Sequence, residues 1–299
     1  MEAWWFPLKL LITGAIGLYG SKLARMAVER GVEVYASDVQ EMPVSGNFVR
    51  LDVSNKELVD ETFRRVRPDV VVHAATLTDV DKCELNKEFA WKINVEGTKN
   101  IVEAAKDAGS FIIYISTDYV FNGEKGMYTE QDSPDPINYY GLTKLKAEEL
   151  VKAQAEYFIG RPSVIYGSTP AAGKVNFSLW LIETLRRDER VKIVTDQWNT
   201  PTLNTNLAEM TLEVAERRLT GTFHFCGATR VSRFEFAQSI AETFDLDKSL
   251  IDPVLSSQFK WPAKRPMDSS LDTTKAQKTL KSKPLEIHEA LKRLKLELS

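Results

Sequence analysis

Thr13-Gly-Ala-Ile-Gly-Leu-Tyr-Gly20 is the stretch from which the fold is read. It ends an apolar, β-rich run, Lys9–Thr13, and opens a helical pattern, Ser21–Glu29. A strand that passes through glycines straight into a helix offers backbone N–H groups and the positive end of the helix dipole to an anion. Gly14 permits the tight turn, Gly17 lets the backbone approach a pyrophosphate, and Gly20 allows close helix–strand packing. The spacing is G-x-x-G-x-x-G, not G-x-G-x-x-G. The position directly after the first strand carries the dinucleotide reading.

Outward from this octet, strand-like and helix-like runs alternate. Strands at Glu33–Ser37, Phe48–Leu51, Val70–His73 and Phe111–Ser116 are separated by helical patterns at Lys56–Arg65 and Glu88–Ala108, and Arg67-Pro68-Asp69 turns into the fourth strand. Val70-Val71-Val72 is apolar on consecutive residues, as expected where helices cover both faces of a sheet. The alternation predicts an α/β fold with a doubly wound, Rossmann-like parallel sheet. Asp38 ends the second strand, 18 residues after Gly20. A carboxylate there accepts hydrogen bonds from an adenosine ribose diol and repels a 2′-phosphate, which favours NAD(H) and leaves NADP(H) as the second option. Asp52, in Leu51-Asp-Val53, stands either where an adenine amino group would meet it or as a cap for the next helix.

The second half reads more loosely. A long helix after Tyr140 leads to Phe158–Val164 and a Gly/Pro/Ser-rich loop, Gly167–Lys174. Helices are expected at Asn176–Arg187, Asn206–Arg218, Ser232–Phe244 and Pro284–Leu296, with strands at Val191–Val194 and Gly221–Phe225. This predicts a dinucleotide-binding domain over 1–165. A smaller α+β substrate lobe over 166–299 is interleaved with it, some of its strands rejoining the first sheet.

The chain has 299 residues, 43% hydrophobic and 27% charged, an ordinary balance for a soluble protein with a large core. A net charge of −3 excludes the basic footprint of a nucleic-acid binder. Cys83 and Cys226, far apart, point to a reducing, cytoplasmic setting without disulfides. The apolar run Leu8–Thr13 is too short for a membrane span, and the Trp4-Trp5-Phe6 cluster reads as a packing extension. His73, His224 and His288 are scattered, so no metal site is expected, and His73 reads as a packed or hydrogen-bonded residue. The Lys292–Lys295 region reads as the solvated face of the last helix.

Tyr140-Gly-Leu-Thr-Lys144 places a phenol and an ammonium on one helix face. The lysine is expected to lower the tyrosine pKa from about 10, so that Tyr140 gives a proton to a carbonyl oxygen as hydride reaches the carbon. Phe111–Ser116 delivers Ser116-Thr117-Asp118 at its carboxyl end, where ligands bind in open parallel sheets. A hydroxyl of Thr117 or Ser116 would orient that carbonyl. For a nucleotide-linked substrate, Arg265, in Trp261-Pro-Ala-Lys-Arg-Pro266, is a candidate for the diphosphate, with Val175–Phe177 as a further wall. The competing reading of Lys264-Arg265 is a solvated basic pair.

Thr13–Gly20, Asn94 in Ile93-Asn-Val-Glu-Gly-Thr98, Ser116–Phe121 and Tyr140–Lys144 resemble the extended short-chain dehydrogenase/reductases. Within them, Ala74-Ala-Thr-Leu-Thr-Asp-Val-Asp-Lys82, Ser116-Thr-Asp-Tyr-Val-Phe121, Tyr140–Glu148, Asp196-Gln-Trp-Asn-Thr-Pro-Thr202 and Lys264–Leu271 look like the dTDP-4-dehydrorhamnose reductase family. The resemblance implies reduction of a nucleotide-linked 4-keto-6-deoxysugar, with Thr117, Tyr140 and Lys144 as the catalytic trio. It implies that Gly17, Leu18, Tyr19, Asp38, Asp52, Val53, Ala75, Thr76, Leu77, Thr78 and Asn94 line the cofactor, and that Thr117 and Asp118 touch the sugar. Val164 stands where known members carry a substrate-contacting Trp. Lys22 stands where some carry an acidic residue of a Mg²⁺-linked dimer, so a homodimer is compatible with the family but not that metal link.

Three rival functions share parts of this pattern. A sugar-nucleotide 4,6-dehydratase needs an Asp-Glu pair after the Thr, and here Tyr119 follows Asp118. A 4-epimerase uses the same trio. The regulatory subunit of methionine adenosyltransferase resembles the same family and would bind dinucleotide and a synthetase partner without turnover.

Overall fold

The computed structural model describes residues 8–169 and 175–299. The Trp4-Trp5-Phe6 cluster and residues 170–174 of the Gly/Pro/Ser-rich loop lie outside them. The chain runs through β1 (Lys9–Thr13), α1 (Gly20–Glu29), β2 (Glu33–Asp38), β3 (Asn47–Arg50), α2 (Lys56–Val66) and β4 (Val70–His73). Next come α3 (Val80–Leu85), α4 (Lys87–Trp91), α5 (Gly97–Ala108), β5 (Phe111–Ile115), α6 (Tyr139–Lys152) and β6 (Tyr157–Arg161). The remainder comprises β7 (Ile165–Tyr166), α7 (Phe177–Arg186), β8 (Val191–Val194), β9 (Trp198–Asn199), β10 (Thr202–Leu203), α8 (Asn204–Arg217) and β11 (Gly221–His224). It closes with β12 (Val231–Ser232), α9 (Arg233–Thr243), β13 (Ile251–Val254), α10 (Thr274–Thr279) and α11 (Ile287–Leu298).

Seven parallel strands form the main sheet in the order β11-β6-β5-β4-β1-β2-β3. Alternation of side chains along each strand divides the core between the two faces. Leu10, Ile12, Val72 and Ile113 pack with residues of α1 and α8, while Leu11, Val71, Ile112 and Ile159 pack with α2, α5 and α6. Each such side chain, fully buried, stabilises by about 1.5–3 kcal/mol. A second core, with Tyr166, Leu181, Ile193, Phe236, Ile240, Ile251 and Leu291, joins α7, α9, α11 and the short strands. β11 returns from this region to pair with β6 at the sheet edge.

The structure departs from the sequence reading in identifiable places. The single helix expected over Glu88–Ala108 is α4, a π-helical turn over Lys92–Glu96, and α5. Asn94 lies in that turn with its amide fully engaged by neighbouring segments, a common setting for a π-bulge. Within the segment Phe158–Val164, β6 stops at Arg161, because Pro162 lacks an N–H and Val164 is left-handed at φ 42°. β13 pairs in parallel with β8 in a separate two-stranded sheet; it carries Pro253 and was not read as a strand. α3 was also missed, although Asp79 caps it by accepting the Lys82 N–H at 3.1 Å.

Candidate active site

The candidate site gathers at the carboxyl ends of β1, β4 and β5. Gly14 has φ +71°, and a Cβ there would stand 2.8 Å from the Ala75 nitrogen. A Cβ on Gly20 would lie 2.2 Å from the Gly14 carbonyl oxygen. The turn is thus closed on itself and against the segment after β4, as the spacing required. Thr13 Oγ1 accepts the Ala74 and Ala75 N–H groups at 3.2 Å each. His73 lies between Thr13 (2.7 Å) and Thr98 (3.0 Å), and burial pushes its pKa down to about 3. It is a neutral, hydrogen-bonded residue of the packing, as read.

The loop fits a dinucleotide on three observations. No side chain caps α1 at Tyr19, and its first turn carries no acid. A Cβ on Gly17 would meet only the Gly14 carbonyl, at 3.2 Å, so that face of the turn is bare. The Asp38 carboxylate stands beside the same loop, accepting the Ile16 N–H at 3.3 Å and the Val39 N–H at 2.8 Å.

Other expected lining residues separate into two groups. Leu77 is half-buried and Thr78 exposed, beside Ala75 and Thr76. Tyr19 is different: its ring lies in the main core and its hydroxyl donates to Thr211 on α8 at 2.7 Å. Asn94 is also internal: Oδ1 accepts from Thr76 Oγ1 (2.8 Å) and Leu77 N (2.7 Å), and Nδ2 donates to Thr143 Oγ1 (3.0 Å). It pins the segment after β4 to α6. Asp52 braces its own turn, accepting from Ser54 N (2.9 Å) and Ser54 Oγ (2.8 Å), while Asn55 is the α2 cap. Val53 is buried against Gly97.

α6 starts at Asn138, which accepts the Gly141 N–H at 2.9 Å, and so projects Tyr140 and Lys144 toward the end of β5. Both are buried, Tyr140 packing edge-on to Tyr119 at 6.0 Å. Lys144 Nζ donates to the Ile115 carbonyl at 2.7 Å and lies 4.2 Å from the centre of the Tyr114 ring. The expected lowering of the Tyr140 pKa is absent. Burial pushes the phenol up, and its hydrogen bond with Thr117 acts in the opposite direction. Burial also drives Lys144 down to about 7, partly offset by the Glu148 carboxylate one helical turn on. Desolvation is the largest cause for both groups at this depth.

Thr117 caps the turn over Asp118–Val120, accepting the Tyr119 N–H at 3.2 Å, and donates to Asp118 Oδ1 at 3.0 Å. Asp118 Oδ2 accepts from Ser163 Oγ (2.8 Å) and Ser269 Oγ (2.6 Å). Asp118 is therefore a buried tie between the sheet edge and the later segments. Arg265 is no solvated basic residue. Its two terminal nitrogens each meet Asp81 at 2.6 Å, and it lies 5.0 Å from the Trp261 ring centre. With Lys264, Asn122, Glu124, Ile137 and Met267 it lines a cleft of about 670 Å³. Of the Val175–Phe177 wall, Val175 is exposed and Phe177 stacks on Phe236 at 5.6 Å.

Three further residues shape the site. Glu148 was legible as the next position on the Tyr140–Lys144 helix face. Asn138 was legible as a cap residue before a helix. Asp81, 184 positions from its partner Arg265, left no signal in the sequence.

A doubly wound parallel sheet with a glycine turn after β1 and a Tyr-x-x-x-Lys helix after β5 defines an extended short-chain dehydrogenase/reductase. The family model for the RmlD substrate binding domain matches residues 8–298, and the chain belongs to that family. As a member it is an NAD(P)H-dependent oxidoreductase. A probable low-salt glycan biosynthesis reductase, Agl14, from Haloferax volcanii is 35% identical, over 88% of this chain and 89% of the relative. A dTDP-4-dehydrorhamnose reductase from Bacillus anthracis, solved with NADP, superposes with a TM-score of 0.88 at 29% identity, covering 98% of this chain and 100% of the other. Methionine adenosyltransferase 2 subunit beta from Rattus norvegicus is 30% identical, over 89% of this chain and 81% of the relative. No helix among the described residues is long and apolar enough to cross a membrane.

Proposed function

We propose that this protein reduces a nucleotide-linked 4-keto-6-deoxysugar, dTDP-4-dehydrorhamnose being the first candidate, with Tyr140 as proton donor. The observation that carries the reading is the burial of Tyr140 against Thr117 at the end of β5. A phenol whose pKa is raised stays protonated at neutral pH, which suits a group that gives its proton to a carbonyl oxygen. When bound along Gly14–Gly20 and Asp38, the dinucleotide supplies the hydride. The Thr117 hydroxyl orients the sugar oxygen, and Lys144, fixed by the Ile115 carbonyl, places positive charge behind the phenol. The division into residues 1–165 for the dinucleotide and 166–299 for the sugar belongs to this proposal, and the return of β11 to the first sheet supports its interleaving. The test is a screen of NADH and NADPH oxidation against a panel of nucleotide-linked 4-keto sugars. Turnover restricted to 6-deoxy substrates supports the reading; silence across the panel, with retained dinucleotide binding, favours the regulatory-subunit alternative that the 30% identical relative raises.

Cofactor choice follows from Asp38, whose carboxylate favours a ribose diol over a 2′-phosphate. NADH is proposed as the preferred reductant, with NADPH accommodated, as in the Bacillus anthracis complex. Asp38→Ala is expected to weaken NADH binding and to narrow the NADH-over-NADPH ratio by about tenfold, the scale of one net hydrogen bond. Fluorescence titration of both dinucleotides reads this, and a parent protein that strongly prefers NADPH would contradict it.

Arg265 is proposed to hold the substrate diphosphate. Asp81 fixes the guanidinium in the cleft wall, so little side-chain freedom is lost on binding. Arg265→Ala should raise the KM for nucleotide-sugar by about tenfold or more while NADH affinity stays constant. An equal loss of both would show a structural role only.

A further inference from the structure

The C-terminal helix reaches back to the glycine turn through one carboxylate. Glu297, two residues from the chain end, accepts from Lys22 Nζ at 2.7 Å, Ser168 Oγ at 2.7 Å and Thr205 Oγ1 at 2.5 Å. Lys22 Nζ also lies 3.4 Å from Ser168 Oγ. The Lys22 side chain is 2% exposed and that of Glu297 18%. Burial works against the ionised Glu297, and the three donors outweigh it, holding its carboxyl below the usual range. Four segments therefore converge on this group: α1, the stretch after β7, α8 and α11.

Lys22 occupies the first turn of α1, immediately beyond the residues that would receive a pyrophosphate. A buried cation at a helix N-terminus is unfavourable by dipole and by desolvation, so it persists only with a counter-charge. Next to Thr205, Asn204 is fully buried, and its Nδ2 donates to the Leu18 carbonyl at 3.0 Å. Together with the Tyr19–Thr211 hydrogen bond, α8 grips the turn at two points. Leu294 and Leu291 bury α11 in the second core, so Glu297 is held from the far side.

We infer that the Lys22–Glu297 pair, with Ser168 and Thr205, is a positioning latch by which the C-terminus sets the geometry of Gly17–Tyr19 and hence dinucleotide affinity. Lys22 and Glu297 are positioning residues: they act through the turn. The inference rests on the dinucleotide reading of Gly14–Gly20.

The experiment measures the dissociation constants of NADH and NADPH for the parent chain, Glu297→Gln, Lys22→Met and Ser168→Ala, the last being the gentlest should the charge variants not fold. Glu297→Gln and Lys22→Met are expected to raise both dissociation constants by about five- to tenfold, the scale of one ordinary net hydrogen bond transmitted to the turn. Ser168→Ala should raise them by less. The KM for nucleotide-sugar at saturating dinucleotide should not move. Amide exchange at Gly17–Tyr19, measured without dinucleotide, should quicken in Glu297→Gln. Folded variants that bind as the parent does, or a Ser168→Ala protein with unchanged binding when the charge variants cannot be made, overturn the latch and leave the dinucleotide reading intact. A parent chain that binds neither dinucleotide removes both.

Discussion

Tyr140→Phe is expected to lower turnover by at least about 10²-fold while leaving dinucleotide affinity close to that of the parent. The substitution removes one oxygen and no packing volume. The ring would keep its edge contact with Tyr119, and α6 would keep its Asn138 cap. What is lost is the phenol oxygen that hydrogen-bonds with Thr117 at the end of β5. Single-turnover reduction with bound NADH separates the chemical step from binding. A variant with near-parental turnover would leave proton delivery to solvent or another group and remove the proposed mechanism.

Glu148→Ala should cost about 3–5 kcal/mol of folding stability, read from denaturant unfolding. Glu148 and Arg161 are almost wholly buried and meet through two hydrogen bonds of 2.8 and 2.6 Å. Ser116 Oγ donates to the same carboxylate at 2.7 Å. Deleting Glu148 strands the guanidinium in the core, where its third nitrogen already lacks a partner among the described residues. Glu148→Leu combined with Arg161→Met should cost less than either change alone, since no uncompensated charge remains. A double variant as unstable as the sum of the singles would show that the pair acts through something other than mutual neutralisation. Burial disfavours the ionised Glu148, but Arg161, Ser116 and Lys152 outweigh it and hold its carboxyl below the usual value. Its folded pKa thus lies below the unfolded one. The contribution is present in full above the unfolded carboxylate range and is lost as pH falls through the folded pKa.

How much was legible follows from the range of each interaction. The glycine turn, the five strands up to β5, and Tyr140–Lys144 on one helix face are local patterns, written within a few residues of each other, and the structure has them. Gly14 is a clear case. Its positive φ and its contact with Ala75 are what a tight strand-to-helix turn demands of that position. The break at Asn94 was not legible, because the helical periodicity of Glu88–Ala108 continues through it. The amide's partners at Thr76, Leu77 and Thr143 come from other segments. For Tyr19, the sequence places the residue in the turn, and only the fold reveals Thr211 waiting behind it.

The parallel sheet, the glycine turn that opens α1 and the placing of Tyr140 and Lys144 on one helix face were determined by the sequence alone, since periodicity, glycine conformation and helical spacing are short-range properties. Tertiary structure decided everything that depends on who faces whom across the fold. It turned Arg265 from a candidate solvated cation into one pinned by Asp81. It reversed the direction of the Tyr140 pKa shift. It brought Glu297 to Lys22 across 275 positions. Desolvation and charge pairing depend on three-dimensional surroundings, and those surroundings exist only once distant segments have packed.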